Sequence, residues 1–210
     1  MKEMARTHWL TVPAGLAPML ALAAAAVASP AIYGTPADDR VNGTNGRDTL
    51  IALGGDDIVF SGRGNDRLEG DGVDKRGRAS RAGDDWLAAG RGADSLLGGG
   101  GDDWLSAGRG NDVADGMTGN DRIDAGRGRD LLEGGRGNDR LTAGRGADEL
   151  SGGAGDDRIE AAGDDGVSDR IHCAGGTDDV VMDAGDLFVD ARGRPTDRVA
   201  AGCERVIGAG

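Results

Sequence analysis

Gly98–Ser151 reads, in consecutive nines, GGGGDDWLS, AGRGNDVAD, GMTGNDRID, AGRGRDLLE, GGRGNDRLT and AGRGADELS. The fourth place of every nine is Gly, the sixth is Asp and the eighth is apolar. The register extends outward in both directions. Sixth-place aspartates recur at Asp48, Asp57, Asp66, Asp85, Asp94, Asp103, Asp112, Asp121, Asp130, Asp139, Asp148 and Asp157, and the fourth place is Gly in all twelve units. The eighth place is Leu, Ile or Val except at Ala114. Gly34 to Asn42 is a further unit in register, with Asp39 and Val41 in place but Ala37 where Gly belongs. Self-similarity at a fixed short period is the signature of a stacked repeat architecture.

The physics of one nine follows from its residues. Its first six are Gly-rich and polar and should turn, because Gly tolerates the positive φ values of tight turns. Its last three can form only a very short strand with one inward side chain, which buries no core alone. Stacking solves this. Eighteen residues make a coil of two turns and two strands, each strand pairs in parallel with its counterpart one coil on, and the eighth-place residues fill a narrow interior. At ~4.8 Å per strand, six or seven coils give a rod roughly 30 Å long.

Stacking also brings aspartates eighteen residues apart within a few ångströms, in two columns that repel themselves when bare. Calcium relieves that repulsion, since this hard cation takes six to eight oxygens from carboxylates and carbonyls, and Gly-rich turns expose carbonyls. The Cys and His clusters that zinc or copper would want are missing from the sequence.

These units resemble the haemolysin-type (RTX) calcium-binding nonapeptide, G-G-x-G-x-D-x-apolar-x, over roughly residues 34 to 160. The resemblance implies an all-β fold, a right-handed parallel β-roll (a β-helix-like solenoid) with two nonapeptides per coil and a small C-terminal cap. It also implies multiple Ca²⁺ ions held between successive turns, with each sixth-place Asp a ligand shared by the ions above and below. That ligand set runs from Asp39 through the twelve aspartates above to two degenerate units at Asp169 and Asp178. Thr44, Leu53, Arg81 and Met117 depart from the second-place Gly, and those turns are expected to bind more weakly. A disordered Gly/Asp linker would not explain the apolar eighth places.

Composition sets the bounds. Forty-one Gly and 3% aromatics exclude an ordinary packed globule. Low hydrophobicity with a net charge of −13 means disorder unless a ligand compensates. That charge suits cations and argues against nucleic acid, which wants a basic surface.

In chain order, residues 1–31 read as a secretory signal: Lys2 and Arg6, then an apolar run from Leu16 to Val27, with cleavage near 28 or 31. The run is too short to span a membrane comfortably, so a secreted, extracellular protein with no stable span is expected. The β-roll should occupy 32–160. Gly70 to Ala79 breaks the pattern and reads as a basic, bulged loop replacing one unit, with Lys75, Arg76 and Arg78 inviting proteolysis. The nineteen residues from Asp66 to Asp85 are one more than a coil, so the columns should resume without exchanging sides.

Two outer ladders follow from the eighteen-residue period. Arg91, Arg109, Arg127 and Arg145 share the third place of alternate units, while Trp86, Trp104, Arg122, Arg140 and Arg158 share the seventh place of the others. They read either as solvated charge with a stacked Trp pair, worth ~0.5–1.5 kcal/mol beyond burial, or as a strip for cell-envelope glycans and anionic polymers.

Residues 161–210 carry a three-residue insertion, the degenerate units and a closing segment, since a solenoid needs capped ends. This tail resembles the terminal segment of secreted bacterial proteins with such repeats, through Cys173 and Cys203-Glu204-Arg205-Val206. In an oxidising compartment Cys173 and Cys203 are expected to form a disulfide, contributing ~3–4 kcal/mol by loop closure; the alternative is two free thiols.

No enzyme is expected. After signal removal His172 is the only His, no Ser sits in a G-x-S-x-G elbow, and the known RTX enzymes carry a separate catalytic domain. The expected function is binding of about ten calcium ions, coupled to folding, by a structural module of the cell envelope or matrix. The alternative is an adhesin or carbohydrate-binding surface. Ice binding would want a flat Thr ladder, and the outer places do not supply one.

Overall fold

A strand buries every second side chain, and the nonapeptide supplies two inward places in succession. In Trp104–Arg109, Leu105 and Ala107 point inward while Trp104 and Ser106 face outward. The computed structural model describes residues 31–72, 82–161, 167–182, 186–188 and 203–208, and every regular element among them is a strand. The segment read from the sequence as a secretory signal, most of the 70–79 loop and the greater part of the expected closing tail lie outside these residues.

Successive strands sort alternately into two parallel sheets of nine strands each. The first sheet holds Ser95–Gly100, Val113–Thr118 and Leu131–Arg136; the second holds Trp86–Arg91, Trp104–Arg109 and Arg122–Arg127. Pairing keeps like places opposite one another, as in Leu87↔Leu105 and Leu105↔Ile123. The roll is therefore the expected one, with interior leucines and isoleucines stacked in two files.

Four details depart from the sequence reading. Most strands are six residues long, because pairing continues past the seventh to ninth places through the second and third places of the next nine, as in Gly108↔Gly126 and Arg109↔Arg127. The core is correspondingly richer. The first place is also inward, where Ala52, Ala89, Ala107, Ala125 and Ala143 are fully buried, small enough for a narrow interior. Nine strands per sheet give a rod of roughly 40 Å at ~4.8 Å per step rather than six or seven coils, because Ile32–Tyr33 begins one sheet and Leu187–Phe188 and Cys203–Gly208 end the two.

The fourth departure is the irregular stretch after residue 70. Asp85 does not stack on Asp66. The backbone N–H of Asp57 donates to Asp85 Oδ1 and that of Asp66 to Asp94 Oδ1, each across 28 residues. The ladder therefore skips ten extra residues between two intact units, an insertion rather than a replacement. Gly70 and Asp71 remain in the strand Arg67–Asp71. Farther on, the Asp148 N–H donates to Asp169 and that of Asp157 to Asp178, each across 21 residues, one coil plus a three-residue insertion.

Candidate metal centre

Every sixth-place Asp sits at the inner corner of a turn, and the two columns line opposite edges of the rod. One edge carries Asp39, Asp57, Asp85, Asp103, Asp121, Asp139, Asp157 and Asp178; the other carries Asp48, Asp66, Asp94, Asp112, Asp130, Asp148 and Asp169. In both, the backbone N–H of each Asp donates to Oδ1 of its counterpart in the next coil, at 2.7–2.9 Å. The second column continues to Asp186, whose Oδ1 accepts from the Asp169 N–H at 3.0 Å. Asp186 escaped the sequence reading because no Gly occupies its fourth place, although Asp186-Leu187-Phe188 keeps the Asp-x-apolar order.

Oδ1 is thus committed along both columns, whereas many of the Oδ2 atoms are not. From Asp57 to Asp178, the Oδ2 atoms of Asp57, Asp66, Asp85, Asp94, Asp103, Asp112, Asp121, Asp130, Asp139, Asp157 and Asp178 are buried without a hydrogen-bond partner. At the first coils, by contrast, Thr35 and Thr44 donate to Oδ2 of Asp39 and Asp48. A buried polar oxygen without a partner is costly, and a file of them asks for a cation.

The surrounding groups are also oxygens. A β-carbon built on Gly43 would lie 2.7 Å from Asp48 Oδ2 and 2.8 Å from the carbonyl oxygen of Ser61, so a carboxylate and a carbonyl converge on one spot. Gly98, Gly116 and Gly134 repeat this with Asp103, Asp121 and Asp139. The fourth place is more tightly constrained. Gly110 has φ 147°, and a β-carbon there would overlap the carbonyl oxygen of Gly92 one coil below. Carbonyl oxygens therefore stack beside the carboxylates. This donor set, all hard oxygen, fits Ca²⁺. Among the described residues no three Asp, Glu, His or Cys side chains close on one point, so an ion here would be held by few carboxylates and several carbonyls.

Electrostatics agree with the geometry. Burial, opposed by the backbone hydrogen bond and reinforced by neighbouring carboxylates, pushes Asp85 and Asp103 up to about 8 and Asp57, Asp130 and Asp139 to about 7. Asp94, Asp121 and Asp178 rise to about 6 for the same reasons. Without a cation, burial shifts each of these groups toward its neutral form.

The two edges differ in what surrounds this shared file. Beside Asp57, Asp85 and Asp103 runs a second ladder at the fifth place. There the N–H groups of Asp56, Asp84, Asp102, Asn120, Asn138, Asp156 and Thr177 each donate to the fifth-place side chain one coil earlier, at 2.8–3.1 Å. We call this the acidic edge. It also holds Asp71, the last residue of the strand Arg67–Asp71, whose Oδ2 accepts from the N–H groups of Gly83 and Gly100. Neither the fifth-place ladder nor Asp71 was anticipated; the alternation of Asp or Asn with Arg or Ala at the fifth place was the available signal. On the opposite, basic edge the fifth place is Asn65, Ala93, Asn111, Arg129 and Ala147, and the third is Arg63, Arg91, Arg109, Arg127 and Arg145.

Both outer ladders foreseen from the sequence lie on the second sheet. Trp86 and Trp104 stack with centroids 5.1 Å apart and planes 5° from parallel. Phe60 packs on Trp86 at 5.9 Å, and the Arg122 guanidinium lies over Trp104 at 5.4 Å. At the far end Cys173 and Cys203, both buried, are joined in a disulfide with Cα atoms 5.5 Å apart.

Comparison with known proteins agrees with this architecture. The family model for the RTX calcium-binding nonapeptide repeat, of the haemolysin type, matches residues 33–68, 81–114, 108–141, 115–150 and 133–167, more than half of the chain. No curated protein matches it. A two-sheet roll with its aspartates filed along both edges, built from units that this family model matches, makes the chain a member of the RTX calcium-binding nonapeptide-repeat family.

Proposed function

We propose that this calcium-binding β-roll folds only as its metal binds, with the sixth-place aspartates from Asp39 to Asp178 as carboxylate ligands. The observation that carries the reading is the file of buried Oδ2 atoms without hydrogen-bond partners. The ligand set is Oδ2 together with turn carbonyls. Each bound ion stabilises the fold by RT ln(1 + [Ca²⁺]/Kd). Stacking the good turns two by two gives about ten ions. Calorimetric titration of the chain should return that stoichiometry; one or two ions would contradict it.

The setting follows from affinity. Extracellular calcium modules have Kd ~10⁻⁴–10⁻³ M, so a chain led out by residues 1–31 would fold after export and serve as a structural module of the envelope or matrix. N-terminal sequencing of protein recovered from the medium should begin near residue 29 or 32. An intact Met1 there would refute cleavage. For the alternative, a glycan-binding surface, the indole faces are a poor platform: Trp86 lies between Phe60 and Trp104, and Trp104 between Trp86 and Arg122.

A further inference from the structure

The basic edge carries a feature that calcium binding does not use. Arg63, Arg91, Arg109 and Arg127 pair in register on successive strands, and Arg145 is bridged to Arg127. All five side chains are exposed. None has a carboxylate partner among the described residues, whereas Arg67, Arg140 and Arg158 each have one. The nearest acidic column is turned into the interior, with its members 1–3% exposed. Like charges on strands ~4.8 Å apart repel, and among the described residues no carboxylate pairs with them.

Beside this row runs a groove of about 610 Å³, walled by Arg63, Arg91, Arg109 and Arg127 and floored by Gly62, Gly90, Gly108 and Gly126. Its size lies within the range of ligand sites, but its form is a trough along the rod, open at the side. A floor of glycine lets a ligand approach the backbone, and planar guanidinium groups suit oxyanions held by two parallel hydrogen bonds.

We infer that the Gly62–Arg127 groove, with Arg63, Arg91, Arg109 and Arg127 as its charged wall and Arg145 continuing the row, binds a linear acidic polysaccharide lying along the rod axis. A repeating ligand is required because the site itself repeats, one guanidinium per rung. An extended acidic peptide presents same-side charges roughly 6.7 Å apart and slips out of step with the rungs. Single-stranded nucleic acid draws much of its affinity from bases stacked on free aromatic faces, and here those faces are occupied. The net charge of −13 opposes every polyanion alike and does not choose between them. Calcium on the two edges offsets that charge, so the loaded roll meets a polyanion more favourably than the bare chain. The inference deepens the surface-binding reading and depends on the folded roll, not on which atoms hold calcium.

The test uses the full chain folded at a fixed free calcium concentration, with size-defined heparin oligosaccharides as probe, dextran as the neutral control and single-stranded DNA of equal charge as competitor. The triple variant Arg91→Gln, Arg109→Gln, Arg127→Gln is compared with Arg122→Gln, Arg140→Gln, Arg158→Gln, which removes the same charge from the seventh-place row of the same sheet. Circular dichroism in calcium verifies folding, and the single variant Arg109→Gln, expected to weaken binding two- to threefold, serves where a triple does not fold. The groove triple should lose at least tenfold in affinity with a shallower salt dependence, the other triple less than twofold. Equal losses in the two triples, no binding by the unaltered chain, or DNA binding as tight as heparin would overturn the assignment. A normal calcium titration alongside any of these would leave the calcium reading standing.

Discussion

Beside Asp57, Asp85 and Asp103 the fifth-place neighbours are Asp56, Asp84 and Asp102; beside Asp66, Asp94 and Asp112 they are Asn65, Ala93 and Asn111. The third place changes in the opposite sense, from Gly54, Ala82 and Gly100 to Arg63, Arg91 and Arg109. Yet the Asp-to-Asp ladder has the same spacing on both edges. The fourth and sixth places are held by geometry: a carbonyl stacked under the glycine, and a carboxylate tied by its Oδ1. The third and fifth places are free, so one repeat builds two chemically different edges. The difference reaches inward as well. Burial raises both Asp103 and Asp66; at Asp103 the carboxylates of Asp121, Asp71 and Asp84 add to it, whereas at Asp66 the Asp48 N–H, Ser61 and, least, Arg47 oppose it.

The largest effect should ignore this difference. Gly110→Ala on the basic edge and Gly119→Ala on the acidic edge each force a β-carbon onto a stacked carbonyl at positive φ. Each should cost roughly 3 kcal/mol or more, read as loss of the calcium-induced thermal transition. Tolerance of either would show that its edge does not stack as described.

Next comes a comparison that separates the edges. Asp103→Asn and Asp112→Asn remove one charge each at constant volume. Both should raise the calcium midpoint, by ~tenfold and ~threefold respectively, since ligand charge sets affinity and Asp103 has the denser carboxylate surroundings. Without calcium the same changes should favour the folded form. Identical shifts would mean that the fifth-place ladder has no electrostatic reach.

The response to pH has a defined sign. Carboxyls raised by burial from the ordinary aspartate value of 3.8 to about 6 at Asp94 and about 8 at Asp85 and Asp103 bind more protons in the metal-free fold than in the unfolded chain. Stability of the metal-free fold is therefore present at low pH and lost as pH rises through the raised values. In chelator, sheet content by circular dichroism should be higher near pH ~5 than near pH ~8, while the calcium midpoint worsens on acidification. The reverse trend in chelator would contradict the burial assigned to Oδ2.

The smallest effect concerns Leu53 and Met117, which hold φ of 91° and 74° at the second place, where most units have glycine. Both belong to acidic-edge turns. Met117→Gly should stabilise the calcium form by about 1 kcal/mol, seen as a modest rise in Tm.

The roll and its aspartate columns were legible because the eighth-place leucines and sixth-place aspartates repeat at a constant spacing from Asp85 to Asp157, with Ala114 the one weak apolar place. Strand length was not, because Gly at the second and third places looks like turn and yet pairs across the sheet. The insertion was misjudged because nineteen residues lie close to one coil, and it takes the Asp57–Asp85 and Asp66–Asp94 hydrogen bonds to show which column resumes. Ala at the first place looked neutral in the sequence and proves to be core. Asp71 was hidden inside the break, where no register points to it.

The most direct test of the central claim is circular dichroism of the chain near neutral pH, first in millimolar calcium and then in excess chelator. A sheet spectrum in calcium that collapses to that of a disordered chain with chelator, and returns when calcium is restored, is the predicted result. A sheet spectrum that survives chelation would contradict the coupling of metal to fold.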